Sequence, residues 1–317
     1  MANLFRDRSG FEATIDAAGD RLGADPAIVE KDYWVSQILG ALARDFPSDL
    51  VFKGGTSLSK GYGLIHRFSE DVDLLVVRGD RGASATDTLM KAMGECGADA
   101  LSSTLAPAVT SSKGKHRTYD IAYPRSRPAA WLTSEVRLEM GTRGGPTPNS
   151  GRSISSLLAD ALVSVGASIQ SYVDLTPFEI RVLHPARTLV EKLSLVNALA
   201  RDCASNTTTD FPVRQGRHFY DIYMLLAHEP TLELLRDRAQ FREIVTDCER
   251  VSREEFGTGY KRPDRGYAAG EAVTAPAEVG AELRRAHEQS QEMYFGRDPY
   301  PTWEQVVERI RMNATLL

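Results

Sequence analysis

Apolar positions recurring at helical spacing over residues 26–43 predict a helix, opened by Pro26, whose fixed φ suits a first helical turn. A short strand at 51–53, a helix over 56–65 and an apolar strand at 71–77 follow. Next come a helix at 84–95 and strands near 104–110, 117–123 and 132–140. Residues 141–153, rich in Gly, Pro and Ser, read as a linker. After a short strand at 178–183 the pattern is helical, over 186–202, 215–228, 231–250, 278–295 and 302–314, with a Gly/Pro/Ala-rich loop at 257–276. No internal repeat interrupts this layout. The expected fold class is α/β (α+β). A catalytic N-terminal domain with a mixed sheet would span residues 1–175 and a mainly helical domain residues 176–317, with the cleft between them.

The chemistry concentrates in one segment. Lys53-Gly54-Gly55-Thr56-Ser57-Leu58-Ser59-Lys60 leads, one short helix later, into Arg67-Phe68-Ser69-Glu70-Asp71-Val72-Asp73. On a strand alternate side chains share a face, so Asp71 and Asp73 point one way while Val72 points into the core. Two like charges so close repel unless a cation lies between them. Glycines let the backbone approach a phosphate, and Thr56 and Ser57 are placed as cap and first-turn residues of a helix whose N-terminal amides attract anions. A D-x-D pair alone is a common strand pattern. Beside a phosphate-binding turn it is what Mg²⁺-dependent phosphoryl or nucleotidyl transfer needs.

Further along, 134–140 alternates: Val136, Leu138 and Met140 share one face, and Glu135, Arg137 and Glu139 the other. Either glutamate could serve as a third carboxylate, and an ordinary half-exposed strand gives the same pattern. Two charged residues break apolar helical arcs. At about 100° per residue, Lys192 falls between Leu199 and Val196, and Asp221 between Met224 and Leu225. Charged residues rarely occupy a core stripe unless paired or functional. They would form either a buried structural ion pair or a functional pair, with Lys192 on a triphosphate and Asp221 orienting it. Lys31 breaks a third arc, between Ile38 and Val35, and would neutralise Asp71 or Asp73 from behind or snorkel to solvent. Tyr33 and Trp34 read as core aromatics.

Composition narrows the alternatives. The chain has 317 residues, 42% of them hydrophobic, and a net charge of −5, so bulk charge does not drive nucleic-acid binding. Basic clusters at Lys53/Lys60/His66/Arg67, Lys113/Lys115/His116/Arg117 with Arg125 and Arg127, and Arg214/Arg217/His218 each read as solvated surface. Interleaved with acidic candidates, together they suggest a polyanionic substrate held locally. Cys96, Cys203 and Cys248 lack metal spacing and suit a reducing compartment, so the sequons at Asn206 and Asn313 are read as chance. No run approaches the roughly 20 apolar residues of a membrane span, and the first residues lack a signal-type apolar stretch. A cytoplasmic protein without membrane association is expected. Neither a P-loop nor an H-E-x-x-H motif occurs.

The strings G-G-T-S-L and R-F-S-E-D-V-D resemble the first motif of nucleotidyltransferases with the DNA polymerase β fold, and more closely the AbiEii/AbiGii toxins of bacterial toxin–antitoxin and phage-defence systems. Glu30-Lys31-Asp32-Tyr33-Trp34, Glu191-Lys192-Leu193 and Tyr220-Asp221-Ile222-Tyr223 follow in the family's order, and the resemblance spans roughly residues 25–230. It implies transfer of a nucleoside monophosphate from an NTP, with Mg²⁺ (or Mn²⁺) on Asp71, Asp73 and Glu139. By the same resemblance Gly54, Gly55, Thr56 and Ser57, flanked by Lys60, Arg67 and Ser69, would bind the nucleotide, and Lys192 and Asp221 would assist. The resemblance implies an RNA acceptor, with the tRNA 3′ end as the candidate, and a separate antitoxin protein. The rival readings are a nucleotide- or partner-binding module without catalysis and a nucleotidyltransferase acting on a protein or small molecule. Magnesium-dependent incorporation of labelled nucleotide into RNA separates them.

Overall fold

The computed structural model describes residues 3–317 apart from 68, 70, 130, 206–210 and 257–259, so the Asn206 sequon lies outside the described residues. The chain forms two compact units. The first, residues 1–62, 68–142 and 149–182, is built on a sheet. Its elements are α1 (Phe11–Leu22), α2 (Pro26–Asp45), β1 (Leu50–Lys53), α3 (Gly54–Lys60), β2 (Asp71–Val76), α4 (Ala83–Ala100), β3 (Thr110–Ser112), β4 (His116–Ala122), β5 (Glu135–Gly141), β6 (Asn149–Ile154), α5 (Leu157–Ser164) and β7 (Phe178–Leu183). The strands run in the order β3-β4-β5-β2-β1-β7-β6. β2 pairs parallel to β5 and β1 parallel to β7, whereas β1/β2, β4/β5 and β3/β4 are antiparallel. The sheet is therefore mixed.

One face of this sheet is the core. Phe52, Val72, Leu74, Val136, Leu138, Ile121 and Val182 are buried with Ile38, Leu42, Met90 and Met93 of α2 and α4. Gly97 and Gly94 of α4 lie against Ile121, Leu138 and Tyr119, close approaches that a side chain would block. Each fully buried side chain of this size contributes about 1.5–3 kcal/mol. The opposite face carries the alternate residues of the same strands: Lys53, Asp71, Asp73, Arg137, Glu139 and Asp120, all half-buried.

The second unit comprises residues 63–67, 143–148 and 183–317. It contains α6 (Pro185–Ala204), α7 (Arg217–Leu225), α8 (Glu229–Arg236), α9 (Arg238–Phe256), α10 (Glu271–Thr274), α11 (Ala277–Gln289) and α12 (Trp303–Met312). Leu189, Leu193, Val196, Phe219, Ile222, Leu283, Trp303, Val306 and Ile310 are buried in it. The compact units thus divide between Val182 and Leu183, past the expected 175/176 boundary, and two short segments of the N-terminal half belong with the helices.

Several expected elements differ. The linker expected at 141–153 instead completes β5 and supplies β6, an edge strand in which only Ile154 is buried, so no alternation marks it. The single helix expected over 231–250 is two, because Asp237 leaves helical geometry and its carboxylate accepts from the amides of Ala239 and Gln240 to start α9. Helices α1 and α5 were not expected; α1 buries Phe11, Ile15, Ala18 and Gly19, and Ser156 caps α5. Residues 104–109 are not strand, and α3 ends at Lys60 rather than 65. The described part of the expected 257–276 loop includes the one-turn α10.

Candidate active site

Strand register sets the acidic centre. Asp73 of β2 stands opposite Glu139 of β5 and, on its other side, opposite Lys53 of β1. Asp71, two residues earlier on the same face, stands opposite Arg137. The Arg137 guanidinium forms a bidentate pair with Asp120, at 2.8 and 2.9 Å, and also feels Asp71 and Glu139 electrostatically. Glu135, the competing third carboxylate, lies beyond the β2 pairing, opposite Ala122, and accepts from the Ser134 hydroxyl. Register therefore places Glu139, not Glu135, beside the aspartates.

The glycine turn is fitted to this centre. Gly54 sits at φ +78, a region that side chains rarely adopt, and a Cβ there would collide with the Asp73 carboxylate. Thr56 and Ser57 lie inside α3 and neither caps it, because the helix already starts at Gly54 with Lys53 as its N-cap. Thr56 Oγ1 donates to the Asp71 carbonyl at 2.6 Å, and Ser57 Oγ to the Gly54 carbonyl at 2.8 Å, with both residues buried. Thr56 thus fastens the turn to the start of β2, and Ser57 braces the turn itself. Ser69 lies half-buried beside this turn, its carbonyl 3.5 Å from Thr56 Oγ1.

Two residues expected at the nucleotide, Lys60 and Arg67, are engaged in ion pairs. Lys60 is committed to Asp32 at 2.6 Å, and Asp32 also accepts from the Leu157 amide. Arg67 is 2% exposed, and its Nε and Nη2 donate to both oxygens of Asp221, each at 2.7 Å. Lys31 does not snorkel: it is fully buried, and its Nζ donates to the Thr133 carbonyl and hydroxyl. Tyr33 and Trp34 are core residues, the Tyr33 hydroxyl donating to Asp174.

Within the helical unit a second charged group forms around Asp221. Lys192 Nζ lies 2.9 Å from Asp221 Oδ2 and 3.0 Å from His218 Nδ1, and His218 Nε2 lies 2.6 Å from Gln215 Oε1. Burial, and next the Lys192 charge, push the His218 pKa down to about 3, so its ring is neutral at physiological pH. Nε2–H then donates to Gln215, and Nδ1 accepts from the ammonium. Burial alone would raise the Asp221 pKa, but Arg67 and Lys192 hold it well below the usual range. Burial lowers the Lys192 pKa against the pull of Asp221. Two buried cations thus share one carboxylate, leaving a surplus positive charge. Arg67 is held further where His66 N–H donates to the Tyr220 hydroxyl, Phe295 N–H donates to the His66 carbonyl, and Arg67 bridges to Tyr294. Sequence reasoning placed His218 only in a basic cluster; its i, i+3 spacing from Asp221 was the available signal.

Among the described residues no three His, Cys, Asp or Glu side chains converge closely enough to hold a metal ion as they stand. The donor chemistry nonetheless fits a hard divalent ion: three carboxylates on one face, two of them directly opposed across a parallel pair.

The family described as nucleotidyl transferase AbiEii toxin of type IV toxin–antitoxin systems matches residues 37–309, and the chain belongs to that family. It is a nucleotidyltransferase toxin. Among solved structures, MenT4, a nucleotidyltransferase toxin from Mycobacterium tuberculosis H37Rv, is similar at 16% identity and a TM-score of 0.44, over 95% of this chain and 96% of that one. No curated protein matches the chain significantly. Among the described residues no helix is long and apolar enough to cross a membrane.

Proposed function

We propose that the chain transfers a nucleoside monophosphate from an NTP to an RNA hydroxyl, with the tRNA 3′ end as acceptor, in the cytoplasm, and that a separate antitoxin restrains it. The observation that carries the site assignment is the register of Asp73 against Glu139, with Asp71 on the same face and Gly54 packed on Asp73. Asp71, Asp73 and Glu139 would hold Mg²⁺ or Mn²⁺, which when bound stabilises charge developing at the α-phosphate and lowers the pKa of an attacking hydroxyl. Gly54 and Gly55 let the phosphates approach the backbone. Thr56 holds that backbone in place through the Asp71 carbonyl, and Lys192 keeps the role that the family resemblance gives it, a charge on which transfer depends. Asp221 orients Lys192 and neutralises Arg67.

The test is incubation of the purified protein with each labelled NTP and total cellular RNA, with and without Mg²⁺. Label should enter RNA only with Mg²⁺ and with the wild type, not with Asp73→Ala. Label entering protein or a small molecule instead would overturn the RNA acceptor, and full transfer by Asp73→Ala would overturn the metal-site assignment.

A further inference from the structure

The acidic face of the sheet is divided by charge, and its basic half has no assigned role. On β5 and β4 the cation of this face, Arg137, is neutralised by Asp120. On β1 and β7 the situation differs. Phe52 stands opposite Val182, so Lys53 and Arg181, which alternate with these core residues, project from the same face as Asp73 and Glu139. Neither Lys53 nor Arg181 has an ion-pair partner among the described residues. The Nε and Nη2 atoms of Arg181 are shielded from solvent and have no hydrogen-bond partner. Glu179, on the same face two residues earlier, is exposed and does not pair with Arg181.

Among the described arginines with a shielded nitrogen lacking a hydrogen-bond partner, Arg181 has two such atoms, whereas Arg117, Arg143 and Arg217 each have Nε alone. The buried guanidinium of Arg67 engages both oxygens of Asp221. That of Arg187 donates to Glu191, Asp247 and the Thr147 carbonyl. A shielded donor without an acceptor costs about 1–3 kcal/mol, more for a charged group, and a native structure keeping one calls for an explanation. A guanidinium presents a planar fork matched to phosphate oxygens.

We infer that Arg181, with Lys53 beside it, is the anchoring subsite for the triphosphate tail of the NTP. The inference rests on the transfer centre proposed above. The tail is a polyanion, so it lies away from the carboxylates of β2 and β5. The glycine turn also leaves β1 directly after Lys53, on the basic side of the face. Reacting phosphate over the acidic half and tail over the basic half is the arrangement that opposes unlike charges throughout.

The test uses the full-length protein and inorganic tripolyphosphate as probe, with Arg181→Leu and Arg181→Lys. Arg181→Leu should bind tripolyphosphate at least about 10-fold more weakly, the range for one lost charge-assisted contact. The KM for NTP should rise in parallel. Its melting temperature should hold or rise, because the variant removes an unsatisfied donor; Arg181→Lys should recover part of the affinity. Unchanged tripolyphosphate affinity in Arg181→Leu overturns the subsite, as does loss confined to binding of a single-stranded oligoribonucleotide. A fall in melting temperature with unchanged affinity shows that Arg181 is structural. Asp73→Ala, run alongside, separates the two ideas: transfer surviving there defeats the catalytic centre, whatever Arg181 does to tripolyphosphate.

Discussion

At the scale of single residues the site depends on close approach and on burial. Gly54→Ala introduces a Cβ at positive φ against the Asp73 carboxylate, so it should cost at least about 1 kcal/mol in urea unfolding and abolish transfer. Wild-type activity in that variant would show that Asp73 does not need its position. His218 offers a pH test. Its pKa falls from 6.5 to about 3 on folding, so below pH 6.5 the unfolded chain takes up a proton that the folded chain refuses. Its stabilising contribution is complete above pH 6.5 and lost progressively as pH drops toward 3, with a limiting slope of about 1.4 kcal/mol per pH unit. His218→Gln, which keeps an acceptor for Lys192, should flatten the loss between pH 6.5 and 4, as measured by denaturant midpoints. Parallel curves for the two proteins would mean that His218 is charged or exposed in solution. That Asp71 shares a face with Asp73, and Glu135 with Glu139, was legible in the sequence because a strand's period of two puts alternate residues on one face; that Glu139 is the one opposite Asp73 was not, because it depends on the register between strands. The inward turn of the Thr56 and Ser57 hydroxyls was not, because it depends on which carbonyls the fold brings within reach.

At the scale of elements, the meeting of α6, α7 and the segment before β2 changes how a mutational test of Lys192 must be read. An isolated Lys192–Asp221 pair could be replaced by two apolar residues without loss. Here Arg67 takes both oxygens of the same carboxylate, from a position 154 residues away in the chain. Lys192→Met should leave the melting temperature near wild type, since Asp221 keeps Arg67, while transfer falls by orders of magnitude. Asp221→Leu strands two buried cations and should cost at least about 3–5 kcal/mol, and adding Lys192→Met should not rescue it. A rescued double variant would show that Arg67 is not buried with Asp221 in solution. Helical arcs revealed that Lys192 and Asp221 are out of place on apolar faces, but periodicity is local and cannot name a third partner so distant in sequence. The same limit hid β6, whose edge position buries only Ile154, whereas β5 alternates along its whole length and β2 over its first four residues.

At the scale of the whole molecule, toxicity should follow the chemistry. Induced wild-type protein should arrest growth of a bacterial host and Asp73→Ala should not, as read from colony counts; equal arrest by both would favour inhibition by binding. Fold class and the order of motifs were visible from sequence, because long periodic segments and the glycine–aspartate signature are local. The assignment of residues 63–67 and 143–148 to the helical unit was not, because these segments are defined by partners made much later in the chain. That interleaving bears on synthesis. A ribosome-tethered chain that has released all seven strands still lacks Asp221, so the ion pair that holds Arg67 in the strap leading into the acidic strand is not yet made. The strap can be secured only after α7 emerges, and its contact with Phe295 only within the last two dozen residues. Translation order thus delays fastening of this strap until α7 and then Phe295 have been made.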